Sequence, residues 1–400
     1  MRYICFFSAL VLLFIGFFYT AAADDALPKA VQDVIDQIKE RNGQCTLTPE
    51  NTIKTIKFDD GSKLDAEMFD IFAQQADLES LVVSGYRGLN DVAVAKLTGL
   101  KKLKTLGLTN SGISNAAIKT IAESFPDLVN LDVSQNSRLT DSAAREIAKL
   151  KNLETLGLLL CDFGEFGIMS LSSLPKLRAV DIRGNMKLGD GAMATLAKLP
   201  ALRSLKHRSP AISDVGIKSL TEAKALDNLE IQDLKITGKS GEYIRQMEKL
   251  TSLIIFRCDS FDSEGVLALK GLKLNRLTLR GLPVNDSALE VFSELPTLKR
   301  LYLHELFSVS DAGMENIAHL KNLEILDIWA VPMTDQSMKT IANLTTLKTI
   351  SLRGTKVTDA GLDVLLSMPA LESVTLKDNP DITPDKIQKL RDAEKFKVLP

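Results

Sequence analysis

Histidine is nearly absent from this chain. Only His207, His304 and His319 occur in 400 residues, and they are far apart. That scatter offers no metal-binding spacing. There is also no G-x-S-x-G elbow, no phosphate-cradling glycine loop and no zinc motif. The chain is therefore read as a non-enzyme with no cofactor and no metal. An excess of either charge is missing too: 49 Lys and Arg stand against 51 Asp and Glu, a formal net charge of −2. This excludes the basic surplus of a nucleic-acid binder and the acidic surplus of a disordered chain. Long apolar runs are lacking except at the start. Arg2, the apolar Ile4–Tyr19 and the small Ala21, Ala22 and Ala23 predict a signal peptide over residues 1–23. No later segment is long and apolar enough to span a membrane. A secreted, periplasmic or cell-surface protein is expected, without a span in the mature chain.

What is abundant is leucine at fixed intervals. The stretch Leu347–Leu371 shows the unit: Leu347, Ile350 and Leu352, then Val357, Thr358–Asp359, small Gly361, and apolar Leu362, Leu365 and Leu366. The same phase recurs from Ile53 and Leu78 through Leu226 and Leu250 to Leu371, in steps of 24 or 25 residues. Such self-similarity marks a repeat array. Within a unit, Thr349–Leu352 alternates and predicts a short strand with Ile350 and Leu352 inward. After Asp359 the three- and four-residue spacing predicts a short helix with Leu362, Leu365 and Leu366 inward. Asp91, Asp141, Asp190, Asp214, Asp286, Asp311, Asp335 and Asp359 share the helix-start position. There a carboxylate is expected to accept the free N–H groups of the first turn. Two residues on, a small side chain (Ala93, Gly167, Gly216, Gly313, Gly361) would let each helix lie close to its neighbours.

No unit stands alone. Ordering each residue costs about 1–2 kcal/mol, and an aliphatic side chain returns about 1.5–3 kcal/mol only when covered. The cover has to come from the repeats on either side. Parallel strands stack about 4.8 Å apart, and helices are wider, so the stack curves. The expected fold class is α/β: a curved solenoid, with a parallel β-sheet on the concave face and short helices on the convex face.

The pattern L-x-x-L-x-L followed by I-T-D-x-G-L resembles the leucine-rich repeat family. It is most similar to the 24-residue repeats of secreted bacterial, planctomycete-like proteins. The resemblance covers Ile53 to the C-terminus and implies a horseshoe acting as a binding module. A similar helix, glycine and strand lead into the arrays of that group.

The chain then divides into the signal peptide at 1–23, an N-terminal cap of helix plus strand at 24–52, about 14 repeats at 53–382, and a C-terminal cap helix at 383–400. Val31, Val34, Ile35 and Ile38 mark one face of the first cap helix. Thr383–Pro384 opens the last, with Ile387 and Leu390 inward and Phe396, Val398 and Leu399 closing the final layer. Cys161 and Cys258 occupy the slot that Asn136, Asn185 and Asn379 fill elsewhere. Four units separate them, about 20 Å at ~4.8 Å per strand, so they cannot pair and are read as buried thiols. Two units break the pattern. Gly238 and Gly241 predict a weak or shifted helix, and His207 takes an inward strand position, where either a strand bulge or a hydrogen-bonded core histidine is expected.

Side chains flanking the inward columns face the concavity. One outward column runs Ser84, Thr109, Ser134, Leu159, Arg183, Arg208, Gln232, Phe256, Arg280, His304, Trp329, Arg353 and Lys377. It turns from small and neutral to basic and aromatic. Arg257, Arg300, Tyr302 and Asp327 lie beside it, with Arg276 adding a further cation. The candidate ligand-binding residues are thus Arg183, Arg208, Phe256, Arg257, Arg280, Arg300, Tyr302, His304, Asp327, Trp329 and Arg353. Aromatic and Arg side chains together suit hot spots and sugar stacking, and Arg suits carboxylate or sulfate. The expected partner is a protein or an anionic polysaccharide. A structural scaffold of the cell envelope without a dedicated ligand is the alternative, followed by an intracellular adaptor-type substrate receptor.

Overall fold

A computed structural model describes residues 27–399, so the signal peptide expected at 1–23 lies outside the described residues. Strands from Gln44–Leu47 to Lys397–Leu399 join in chain order into one 16-stranded sheet. The strand Gln44–Leu47 pairs antiparallel with Ile53–Phe58, and every later pairing is parallel. Register is one-to-one: Leu253, Leu277, Leu301, Leu326 and Ile350 lie side by side on successive strands. Each is fully covered, as are Ile255, Leu279, Leu303, Ile328 and Leu352 two residues on. A single apolar core runs from Ile38 to Phe396 behind the sheet. Short helices close each repeat over that core. The molecule is the expected α/β solenoid, with its sheet lining the inner face of the curve.

Some helices are tighter than their spacing implied. The segment Gly361–Ser367 is a 3-10 helix. With three residues per turn, Leu362, Leu365 and Met368 fall in line and are buried, while Leu366 turns outward at 39% exposure. The expectation that Leu366 points inward is therefore corrected. Likewise Leu399 is 44% exposed, because Lys397–Leu399 adds a last strand instead of closing the layer.

The recurring aspartates do something other than cap their own helices. Where a side chain caps the helix, it comes from the preceding residue: Ser213 for Asp214, Ser310 for Asp311 and Thr334 for Asp335. Each Asp reaches instead to the capping residue of the next repeat. Asp190 accepts from the Ser213 amide at 2.8 Å and its hydroxyl at 2.6 Å. Asp335 does the same with Thr358, and Asp359 with Thr383. Asp311 accepts from the amide and hydroxyl of both Thr334 and Ser337. Asn115 serves Thr140 in neutral form. This relay also explains the small position, since a Cβ on Gly216 or Gly313 would stand 2.5 Å from the Asp of the repeat before. Burial alone would raise the Asp311 carboxyl, but donors from Ser337 and Thr334 outweigh it and hold the carboxyl below its ordinary range.

The Asn slot behaves as its pattern implied. Asn136 Nδ2 donates to the Leu108 and Val133 carbonyls at 2.8 and 2.9 Å. Cys161 donates to Val133 at 3.4 Å and Cys258 to Phe256 at 3.6 Å. Both thiols are unpaired, and burial pushes each up to about 12.

Two irregular units differ from expectation. The helix Lys239–Arg245 starts one residue late but is as long as Asp214–Leu220, so it is shifted and not shortened. Gly238 carries no carboxylate, so the relay lapses there, and a parallel bridge from Thr237 to Ser260 joins the repeats instead. Gly241 has room for no side chain, because the Gly265 carbonyl lies against it. His207 is wholly buried, yet neither ring nitrogen has a hydrogen-bond partner. That corrects the expected satisfied histidine. Ser209 just beyond it escapes the left-handed turn that follows most strands, since a residue before proline is held extended.

Two outcomes follow. Replacing Asp311 by Ala strands donors from Thr334 and Ser337, and a stability loss of about 2–3 kcal/mol is expected, with Asp311→Asn milder. Hydrogen exchange at those amides is the direct measurement, and unchanged protection would refute the relay. For His207, burial lowers the pKa to about 4, against smaller opposing effects from the Asp181 charge and from the Ile182 backbone, whose approach does not reach hydrogen-bond geometry. The unfolded chain takes up that proton near pH 6.5, so stability falls by about 3 kcal/mol between pH 6.5 and 4. Unfolding stability of His207→Leu should lose most of this acid dependence, keeping only the part due to carboxylates such as Asp311 and Glu324. A variant as acid-sensitive as the parent would show that His207 is not the cause.

Candidate functional site

The concave face is built by strand alternation, so its columns follow directly from register. Ile254, Thr278, Tyr302, Asp327 and Ser351 form one row across adjacent strands. Phe256, Arg280, His304, Trp329 and Arg353 form the next. The structure thus brings Phe256, Arg280, Tyr302, His304, Asp327, Trp329 and Arg353 together. At the centre, the Arg280 guanidinium lies 4.2 Å from the Phe256 ring and 4.6 Å from the Trp329 ring. Arg353 also lies over the Trp329 ring, at 4.9 Å, and Arg257 over Phe256, at 4.3 Å. His304 meets Trp329 and Tyr302 edge-on, at 5.8 and 6.2 Å. Each cation over a ring face contributes roughly 0.5–2 kcal/mol, more when desolvated. The result is a rigid platform of alternating guanidiniums and rings.

The platform is not a cationic trough. Arg280 pairs with Glu305 at 2.9 Å, and Arg353 with Asp378 at 2.8 Å. Arg208 and Arg257 share Asp233. Arg183 lies three strands from Phe256, clamped by Asp181 and Glu230 at 2.6 Å each, and is not part of the aromatic group. Of the pairing carboxylates Asp233, Glu305 and Asp378, only Glu305 is expected from the sequence, with Asp327, to neutralise arginines; Asp233 and Asp378 escaped it. All three sit in the residue directly after the outward column, where φ is 56°, 55° and 55°. The signal was available, because Gly85, Asn110, Gly184, Gly281 and Gly354 take the same place in other repeats. A turn position rich in Gly, Asn and Asp indicates left-handed backbone. It also projects a side chain beside the outward column.

Arg300 and Arg276 are the exceptions in charge. They are register partners on adjacent strands, and neither forms an ion pair among the described residues. Arg300 is exposed, whereas Arg276 lies on the Tyr302 ring at 4.9 Å. Asp327 stands 3.5 Å from His304 without a hydrogen bond. Among the described residues, no cluster of three or more His, Cys, Asp or Glu is placed to hold a metal, and no helix is long and apolar enough to cross a membrane.

No protein-family model matches the chain, and no curated protein matches it. Solved structures do. An internalin of Listeria monocytogenes aligns over 86% of this chain and 93% of its own, at 18% identity and a TM-score of 0.53. A chain of the Rad7–Elc1 complex of yeast aligns over 89% of both chains, at 16% identity and a TM-score of 0.57. A leucine-rich repeat protein of Leptospira interrogans aligns over 86% of this chain and 99% of its own, at 19% identity and a TM-score of 0.39. The fold is a leucine-rich repeat solenoid. At these identities the likeness extends to the fold alone. Within it, the leucine-rich repeat sheet leaves only side chains on its concave face, since its backbone groups are paired strand to strand.

Proposed function

We propose that this leucine-rich repeat chain is an exported binding module that holds an extended segment of a partner protein across its concave face. The observation that carries this reading is Arg280 held between Phe256 and Trp329. Preformed aromatic and Arg anchors give large contact area with little conformational entropy left to lose on binding. A protein segment is favoured over an anionic polysaccharide by charge. Asp233, Glu305 and Asp378 pair the arginines, and a polyanion laid across the strands would meet a carboxylate near most of them. Export is read from residues 1–23 as before. An envelope scaffold remains the second reading, favoured by exposed Phe166, Met169 and Val215 on the helices of the opposite side.

Peptides selected from a random-peptide display library on the full chain test the site. Most should lose about tenfold or more in affinity on Trp329→Ala or Arg280→Ala. A scaffold would instead yield no Trp329-dependent peptides and would self-associate in sedimentation. For export, N-terminal sequencing of the mature protein should begin at Asp24. Protein recovered only inside the cell and still carrying Met1 would sink that part.

A further inference from the structure

Buried polar side-chain atoms without a hydrogen-bond partner occur at two places among the described residues: His207, and a patch on two adjacent strands holding Arg276 Nε, Thr278 Oγ1 and His304 Nε2. Thr278 and Arg276 are two residues apart on one strand and so share the concave face. Arg300 stands opposite Arg276, and Tyr302 opposite Thr278. Arginines at partner positions on strands about 4.8 Å apart repel each other when no carboxylate lies between them. Every other arginine of this stretch of the face has its carboxylate: Arg208 and Arg257 have Asp233, Arg280 has Glu305, and Arg353 has Asp378. A pair left uncompensated, beside polar atoms left unpartnered, gains no ion pairing from folding. It is arranged for an acceptor that comes from outside.

We infer that Arg276 and Arg300 form a seat for one carboxylate, from an Asp or Glu side chain of the bound protein segment. The inference rests on the concave-face reading above. Planar guanidiniums match a carboxylate through paired N–H donors, and Tyr302 under Arg276 keeps that fork in place. The seat admits a single anion. Asp327 borders it on the next strand, and Glu305 follows His304 at the end of the strand that carries Arg300, so a run of negative charge is repelled on that side. The neighbouring platform of Phe256, Arg280 and Trp329 then takes an uncharged or aromatic part of the same segment. This orders the ligand: one acidic residue placed toward the strand starts, and apolar residues toward the strand ends.

Trp329 is the only tryptophan in the chain, so its fluorescence reports occupancy of the face. The probes are peptides selected as above, each paired with a version in which Asp or Glu is replaced by Asn or Gln. The expected result is Trp329-dependent peptides that share one acidic residue, whose neutralisation weakens binding about tenfold. Arg276→Gln and Arg300→Gln should cause a similar loss for the acidic peptide and little for its neutral partner. Trp329-dependent peptides with no acidic preference, or unmoved by either Arg change, would overturn the carboxylate seat and leave the concave-face reading standing. If no selected peptide depends on Trp329, both readings fall. Heparin binding that depends on Arg276 and Arg300 at physiological salt would overturn the single-carboxylate seat in favour of a polyanion.

Discussion

The Asp311 carboxylate accepts hydrogen bonds from two residues of the following repeat, and versions of this contact recur along the convex side. On the concave side the same repeats are joined by parallel strand pairing in one-to-one register. A repeat is therefore held to its neighbour at two edges, one by backbone and one by carboxylate. Both are needed, because an apolar layer is closed only by the layers next to it. If one edge slipped by a residue, the Leu columns would turn to the outer face, and the outward rows would lose their order.

That order is what makes a surface out of a repeat. Phe256, Arg280 and Trp329 come from three different units, and none touches another in sequence. Register alone sets them in one row, with His304 between Arg280 and Trp329. At three strand ends the left-handed residue, Asp233, Glu305 or Asp378, then supplies the carboxylate that pairs the arginines. Surface charge is thereby handled locally, strand by strand. The Arg276–Arg300 pair stands out because that arrangement stops there.

The irregular units show how much variation the stack tolerates. Gly238 interrupts the carboxylate relay, yet the helix after it keeps its length, since packing against its neighbours carries it. His207 replaces an aliphatic residue in the core without a polar partner. Such a group costs stability when buried, and the surrounding repeats absorb the cost.

Periodicity in the sequence was enough for the fold. The spacing of Leu347, Ile350 and Leu352, repeated every 24 or 25 residues, admits only a stack in which those side chains share one core. The outward column from Arg183 to Arg353 followed from alternation, which is a local property of strands. What depended on partners in other repeats could not be read from any one unit. The aspartate at the helix start looked like a cap because a cap is the nearest use for it, and its real partners lie 23 to 26 residues away. Leu366 looked inward because 3.6-residue spacing was assumed, where packing tightened the turn to a 3-10 helix. The neutralised arginines and the unpartnered His207 were likewise settled by three-dimensional neighbours. Charge pairing and burial are properties of the assembled stack: the carboxylates that pair Arg257, Arg280 and Arg353 lie 24 or 25 residues away.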